Sequence, residues 1–205
     1  MPYFSYLSVL HLYETLGLFR SKTYLHLHFS QADNEQHHLL IMEDLLTNHT
    51  SSSPSSSPID LKTRLITSAT AVSYYWFITF LVMISPKIAF NINQHVEDHA
   101  YHTYKTFLST YGEELKNLPA PLRARSYYSP ENHLFKQMQC LIASNHPSSS
   151  SSSSFHLDLE DQDRPKRCDT LYDTFFNIMK DEEVHVKTMV KMQVEGYDKG
   201  MDLGE

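Results

Sequence analysis

Asp181-Glu182-Glu183-Val184-His185 decides how this chain is read, because its Glu-x-x-His spacing already occurs in Asn34-Glu35-Gln36-His37-His38. On a helix, residues i and i+3 share a face, with Cβ atoms about 5–6 Å apart. Each Glu-x-x-His can therefore turn one carboxylate oxygen and one imidazole nitrogen toward the same point. Two such helices, together with two that each give a single glutamate, build the carboxylate-bridged di-iron site of a four-helix bundle. Adjacent helical residues point about 100° apart, so His37 and His38 cannot both serve one metal. Only His38 has the spacing. A lone helical glutamate is ordinarily an exposed acid, and it is the repeat that singles out Glu35.

Outward from these two stretches, the helix carrying Glu182 and His185 starts near Asp169, with Leu171, Tyr172, Phe175 and Ile178 inward and Met189 beyond. The helix carrying Glu35 and His38 runs from Ser21 to Leu46. Leu39, Leu40, Met42 and Leu46 form its expected core stripe, with Glu43 and Asp44 outside or capping a neighbour. A third helix restarts at Ser85-Pro86, where proline is tolerated in the first turn. It continues through Ala89, Ile92 and Val96 to Tyr104 and Phe107. Glu97 falls on its apolar stripe, where a carboxylate is costly unless paired or bound to metal. Beside Asp98, the same glutamate also reads as a surface acid. Tyr104 lies two turns further on the same face, as a core aromatic or a redox residue.

The remaining segments frame these helices. Tyr3 to Phe19 reads as a helix with Phe4, Leu7, Leu10 and Tyr13 at helical spacing, carrying His11 and Glu14 and stopping at Gly17. No transit peptide is visible before it, and an apolar pattern already running at Pro2 suggests a chain begun in mid-helix. Ile66 to Ile84 is an uncharged run rich in aromatics, from Tyr74 to Phe80. It fits three readings: a spanning helix, a buried bundle helix, or a helix lying in a membrane interface. From Gly112 through Pro121 to Tyr127-Tyr128 and Phe135 the chain reads as loop. The serine-rich stretches 50–58 and 147–154 are flexible insertions, and 196–205 is a polar tail. The expectation is one helical domain over residues 1–195.

Composition removes several function classes. The chain carries 24 acidic and 17 basic residues, a formal charge of −7, with no basic block to suggest nucleic acid. Five glycines without a Gly-rich loop argue against a nucleotide cradle. Cys140 and Cys168 lack metal-ligand spacing.

Several stretches resemble the plastid terminal oxidases, the chloroplast branch of the alternative oxidase family. They are Leu10-His11-Leu12-Tyr13-Glu14-Thr15, Asn34 to Glu43, Val96-Glu97-Asp98-His99-Ala100-Tyr101, Gly112 to Pro121, and Asp181 to Met189. The resemblance runs from Met1 to about Gln193. The run Glu113-Glu114-Leu115-Lys116-Asn117-Leu118-Pro119-Ala120-Pro121 is similar to the plastid branch in particular. It implies an all-α, ferritin-like four-helix bundle with additional interfacial membrane-binding helices. The implied activity is that of a di-iron quinol oxidase, carrying electrons from plastoquinol to O2 with water as product.

Position by position, the resemblance implies iron ligands Glu35, His38, Glu97, Glu182 and His185, two irons per subunit, and roles near the metal or the quinol for His11, Tyr104 and Asp181. It implies one further ligand, a glutamate in a Leu-Glu-Thr motif that the family places shortly before the position of Met1. A tyrosine that plastid enzymes carry ahead of the Ser-Pro pair is Val82 here. The implied location is the surface of one leaflet of the chloroplast thylakoid membrane, and the family suggests a homodimer. Asp181 is expected to accept a hydrogen bond from a ligand histidine, Tyr104 to lend an electron and a proton, and His11 to take a quinol proton. Two other readings stand beside this one: a soluble ferritin-like iron- or oxygen-handling protein, and a fragment that is weakly active or inactive without the upstream glutamate.

Overall fold

A computed structural model of the chain describes residues 2–18, 22–50, 61–132, 164–165 and 167–195. Gly17 fixes the end of the first helix, α1 (Pro2–Thr15), because its φ of +68° is one that glycine adopts without strain. Leu18 N–H then reaches the Tyr13 carbonyl at 2.9 Å and Gly17 N–H the Glu14 carbonyl at 3.0 Å, which closes the last turn. α2 (Lys22–Thr50) and α3 (Leu61–Ile84) follow. Ser85 is extended and Pro86 opens α4 (Pro86–Leu115). α5 (Leu122–Tyr127) is short, and α6 (Leu171–Glu195) carries the second Glu-x-x-His.

A reciprocal pair of hydrogen bonds starts α6: Asp173 N–H donates to Thr170 Oγ1 at 3.1 Å, and Thr170 N–H donates to Asp173 Oδ2 at 2.9 Å. Just before it, Pro119 and Thr170 form an antiparallel bridge that ties the end of α4 to the start of α6. The two long helices α4 and α6 pack along each other, α1 lies against α2 and α3, and α2 reaches α6. The result is an all-α bundle, with no named strand among the described residues.

Its interior is aromatic on the α1 side. Tyr3 and Tyr6 are fully buried, with Tyr6 edge-on to Phe90 at 5.1 Å and its hydroxyl donating to the Ala89 carbonyl at 3.2 Å. His28 is buried among these rings and shares a hydrogen bond of 2.9 Å with Gln31. Burial lowers its imidazole from 6.5 to about 4, with the Gln31 bond pulling the other way. The unfolded chain therefore takes up this proton first as the pH falls. The contribution is full above about 6.5 and is lost toward pH 4. Its size is on the order of 3 kcal/mol. Urea unfolding at pH 7 and pH 4.5 should show a smaller loss for His28→Gln than for the parent chain.

The fold departs from the sequence expectation on α1, α2, α3 and α4; on α4 Val96 is exposed, and Asn93 and Glu97 take the inward positions. Leu39 and Leu46 are exposed, and the inward face of α2 is Leu27, Gln31, Asn34, His38 and Ile41. That face is partly polar because it lines the centre described below, so a stripe drawn through leucines misplaced it. Phe4 is also exposed and packs on Tyr75 at 5.8 Å, while Tyr3 and Tyr6 take the inward positions. The segment after Gly112 is not loop at once. α4 continues to Leu115, with the Gly112 Cα side pressed against the Tyr172 ring, and α5 then forms. Finally, α3 is not a buried bundle helix: only Ile78, Thr79 and Val82 of it are buried. Leu65, Ile66, Val72, Trp76, Phe77, Phe80 and Ile84 face outward. Phe135, Cys140, the serine-rich stretches from Ser51 onward and at 147–154, and the tail 196–205 lie outside the described residues.

Candidate metal centre

α2, α4 and α6 bring their acids and imidazoles to one point inside the bundle. One ligand atom from each of Glu35, Glu97, Glu182 and His185 lies within 4.8 Å of the others. His38 joins them, its Nδ1 at 3.3 Å from Glu182 Oε1 and 4.0 Å from Glu35 Oε2. His185 Nδ1 lies 3.1 Å from Glu35 Oε1, 3.6 Å from Glu182 Oε2 and 3.9 Å from Glu97 Oε2. The two imidazoles therefore face the same carboxylates with the same ring nitrogen. Glu182 stands between them, one oxygen toward each ring. Glu97, His38, Glu182 and His185 are buried, and Glu35 keeps 27% of its side chain exposed.

The electrostatics follow from this crowding. Burial pushes the Glu97 carboxyl up to about 8; the His185 charge opposes this, and the Glu35 and Glu182 charges add to it. Burial alone would lower His38, but its hydrogen bond to Asp181 and the Glu182 and Glu35 carboxylates beside it outweigh that and raise it to about 10. His185 is raised well above its ordinary value against the same desolvation, by Glu182, Glu35 and Glu97. Glu182 is held far below the usual carboxylate range by the two imidazoles, although burial opposes this.

The donor set fits a metal. Glu35 Oε1, Glu182 Oε2, His38 Nδ1 and His185 Nδ1 are buried and make no hydrogen bond, although they approach one another closely. Buried polar atoms without partners are uncommon, and four of them converging on one space are what a coordinated cation would satisfy. Carboxylate oxygens with imidazole nitrogens, and no thiolate, suit iron.

A second layer surrounds this one. Asp181 is fully buried, and its Oδ2 accepts from Asn34 Nδ2 at 2.8 Å and from the Tyr128 hydroxyl at 2.9 Å. His38 Nε2 lies 3.1 Å from the same oxygen. A proton on Nε2 leaves the Nδ1 lone pair free to face the acids, the arrangement expected of a metal-bound histidine. Burial would raise the Asp181 carboxyl, but the Arg164 guanidinium and the bonds from His38 and Asn34 hold it at about 2. On the α1 side, the Tyr3 hydroxyl donates to Glu97 Oε1 at 2.9 Å, and its ring lies 5.0 Å from that of His185.

Tyr104 is half-buried on α4, stacked on Phe175 at 6.2 Å. Burial, then the charges of Glu182 and Glu35, raise its hydroxyl above the ordinary range. His11 does not join the cluster. It is 68% exposed, 4.0 Å from Glu14, and two helical turns, about 12 Å, beyond Tyr3. Sequence reasoning did not select Tyr3, Asn34, Tyr128 or Arg164. Asn34 had a usable signal, since it directly precedes Glu35 as Asp181 precedes Glu182. The others come from segments read as loop or as ordinary core.

An all-α bundle with two Glu-x-x-His helices and one more giving a single buried glutamate supplies three of the four ligand helices of the carboxylate-bridged metalloproteins, while α1 brings Tyr3 to the centre. Within that class, this chain belongs to the alternative oxidase family, whose family model matches residues 1–194. It is 40% identical over 197 residues to Ubiquinol oxidase 4, chloroplastic/chromoplastic, of Arabidopsis thaliana, a match covering 96% of this chain and 48% of that protein. The chain thus spans about half the length of this relative. No solved structure matches it.

Proposed function

We propose that this chain forms the metal-binding core of a plastid quinol oxidase that passes electrons from plastoquinol to O2, with water as product. The observation that carries the reading is the convergence of His38 Nδ1 and His185 Nδ1 on the two oxygens of Glu182, with Glu35 and Glu97 alongside. Glu35, His38, Glu97, Glu182 and His185 would hold two irons, which when bound supply the redox chemistry of oxygen reduction. Family membership and the plastid relative support both the activity and the plastid location.

The protein's own residues set the conditions. Asp181 keeps the His38 proton on Nε2, so that Nδ1 faces the acids. Tyr3 fixes one Glu97 oxygen through its hydroxyl hydrogen. Ile178 and Met189, fully buried on α6, lie one turn before Glu182 and one turn after His185. Reducing one O2 takes four electrons and four protons, so two quinols are consumed per O2. Tyr104 would lend a proton and an electron from its hydroxyl, and His11, at the exposed face of α1, would take a quinol proton.

Access to a lipid-soluble donor calls for a membrane surface. Leu61–Ile84 is long and apolar enough to cross a bilayer, and little of it is covered by the rest of the protein. Its outward Trp76, Phe77 and Phe80 support a helix lying on one leaflet with its apolar side down. A soluble ferritin-like protein would gain nothing from such a face.

The test is oxygen uptake by the iron-loaded protein on plastoquinol-containing vesicles. Quinol-dependent uptake by protein that sediments with the vesicles is the expected result; iron-loaded, vesicle-bound protein without uptake would favour the weakly active or inactive fragment instead, and protein that takes no iron would overturn the reading. Tyr104→Phe should keep its iron and lose about 100-fold or more in rate, a general acid's ordinary share. An unchanged rate would remove Tyr104 from the mechanism.

A further inference from the structure

Arg164 stands outside every motif considered so far, yet it is the cation in contact with Asp181. Its Nη2 lies 2.8 Å from Asp181 Oδ1, and Nη1 donates to the Asn177 carbonyl at 3.2 Å. The side chain is only 8% exposed, and Asp181 is fully buried. The other Asp181 oxygen, Oδ2, faces His38, Asn34 and Tyr128. The carboxylate is therefore divided: one oxygen belongs to the guanidinium, and the other to the donors on the side of the centre.

We propose that Arg164 is a positioning residue for the metal centre, holding Asp181 so that its Oδ2 keeps His38 turned with Nδ1 toward Glu182 and Glu35. The inference rests on the metal-centre reading given above. Its physical basis is the cost of burying a carboxylate. Without a paired cation, such a group in a bundle interior is strongly destabilising. Asp181 has no second cationic side chain at ion-pair distance among the described residues apart from the His38 ring itself. With Arg164 gone, His38 would be the only cationic group beside the buried carboxylate, next to the neutral Asn34 and Tyr128 donors, and the ring would be pulled from the acids it must face. The hydrogen bond to Asn177, one turn before Asp181 on α6, fixes the guanidinium plane as well as its charge. A lysine could supply the charge but only part of that geometry.

The experiment measures iron affinity and content for the full chain, with helix content by circular dichroism, in Arg164→Met, Arg164→Lys and the double variant Arg164→Met/Asp181→Asn. A second readout is the protonation of the His38 ring in zinc-loaded, diamagnetic protein, read from long-range 1H–15N spectra. Arg164→Met should keep its helices, bind iron about 10–100-fold more weakly, as is usual when a residue behind a metal ligand is lost, and lose the single Nε2–H signature of His38. Arg164→Lys should recover part of both.

Arg164→Met with unchanged iron affinity and an unchanged His38 signature overturns the proposal. If Arg164→Met does not fold, the double variant decides. Its Asp181→Asn change leaves a neutral amide there, with a carbonyl oxygen for His38, so recovery of folding and iron supports the proposal, and failure to recover overturns it. Wild-type protein that takes no iron would overturn the metal-centre reading and this one together. That result is distinct from variants that match an iron-binding wild type.

Discussion

Glu182→Ala should leave a helical protein that no longer retains iron. Glu182 is the buried acid that turns one oxygen to each imidazole, to His38 at 3.3 Å and to His185 at 3.6 Å; Glu35 does so with a longer reach to His38, 4.0 Å. Removing it takes a ligand from each Glu-x-x-His pair's shared space at once, whereas loss of Glu35 would affect a carboxylate still partly open to solvent. A residue behind the ligands ordinarily changes metal affinity by 10–100-fold. Loss of this shared carboxylate should therefore weaken iron binding by at least about 100-fold and remove quinol-dependent oxygen uptake. Iron analysis after gel filtration, on protein whose circular dichroism matches the parent, measures it. Retention of parental iron would remove Glu182 from the centre.

Iron should also raise the stability of the whole bundle. The acids and imidazoles are drawn together from α2, α4 and α6, so a bound metal ties three helices at one point. A ligand that binds only the folded state stabilises it by about 4 kcal/mol when present at about a thousand times its dissociation constant. Chelation should lower the urea midpoint accordingly, and re-addition of ferrous iron should restore it. Glu182→Ala should show almost no such difference between loaded and chelated samples. A parent protein whose midpoint ignores iron would contradict the arrangement of ligands proposed here.

The candidate ligands were legible in the sequence because a carboxylate and an imidazole sharing one helix face obey helical spacing. Glu182 with His185, and Glu35 with His38, need nothing but the three-residue interval to be found. Glu97 was visible as an acid on an apolar stripe, although the sequence could not separate it from a surface acid beside Asp98. What spacing could not show was the partner of each ligand. Asp181 and His38 meet across 143 residues, and Tyr3 and Glu97 across 94. Such contacts depend on how helices dock, which no local pattern records.

The error on α2 has the same origin. A stripe traced through Leu39 and Leu46 assumes that burial follows apolarity, but Asn34 and His38 are buried because they are occupied by partners. The end of α4 was misjudged because the segment from Gly112 through Pro121 reads as loop. Gly112 is instead where the Tyr172 ring comes close to the helix. On α3, composition alone could not choose among three environments, and the packing excludes the buried one.

The tie between Asp181 and the residues of α2 also bears on the order of events during synthesis. Since α6 supplies Glu182 and His185, a nascent chain on the ribosome holds neither until nearly all of the other helices have emerged. Until then Glu97 and His38 have to wait in a half-built interior, and such long-range closures are slow. Iron loading, as proposed above, would therefore come late, after α6 has left the ribosome and docked.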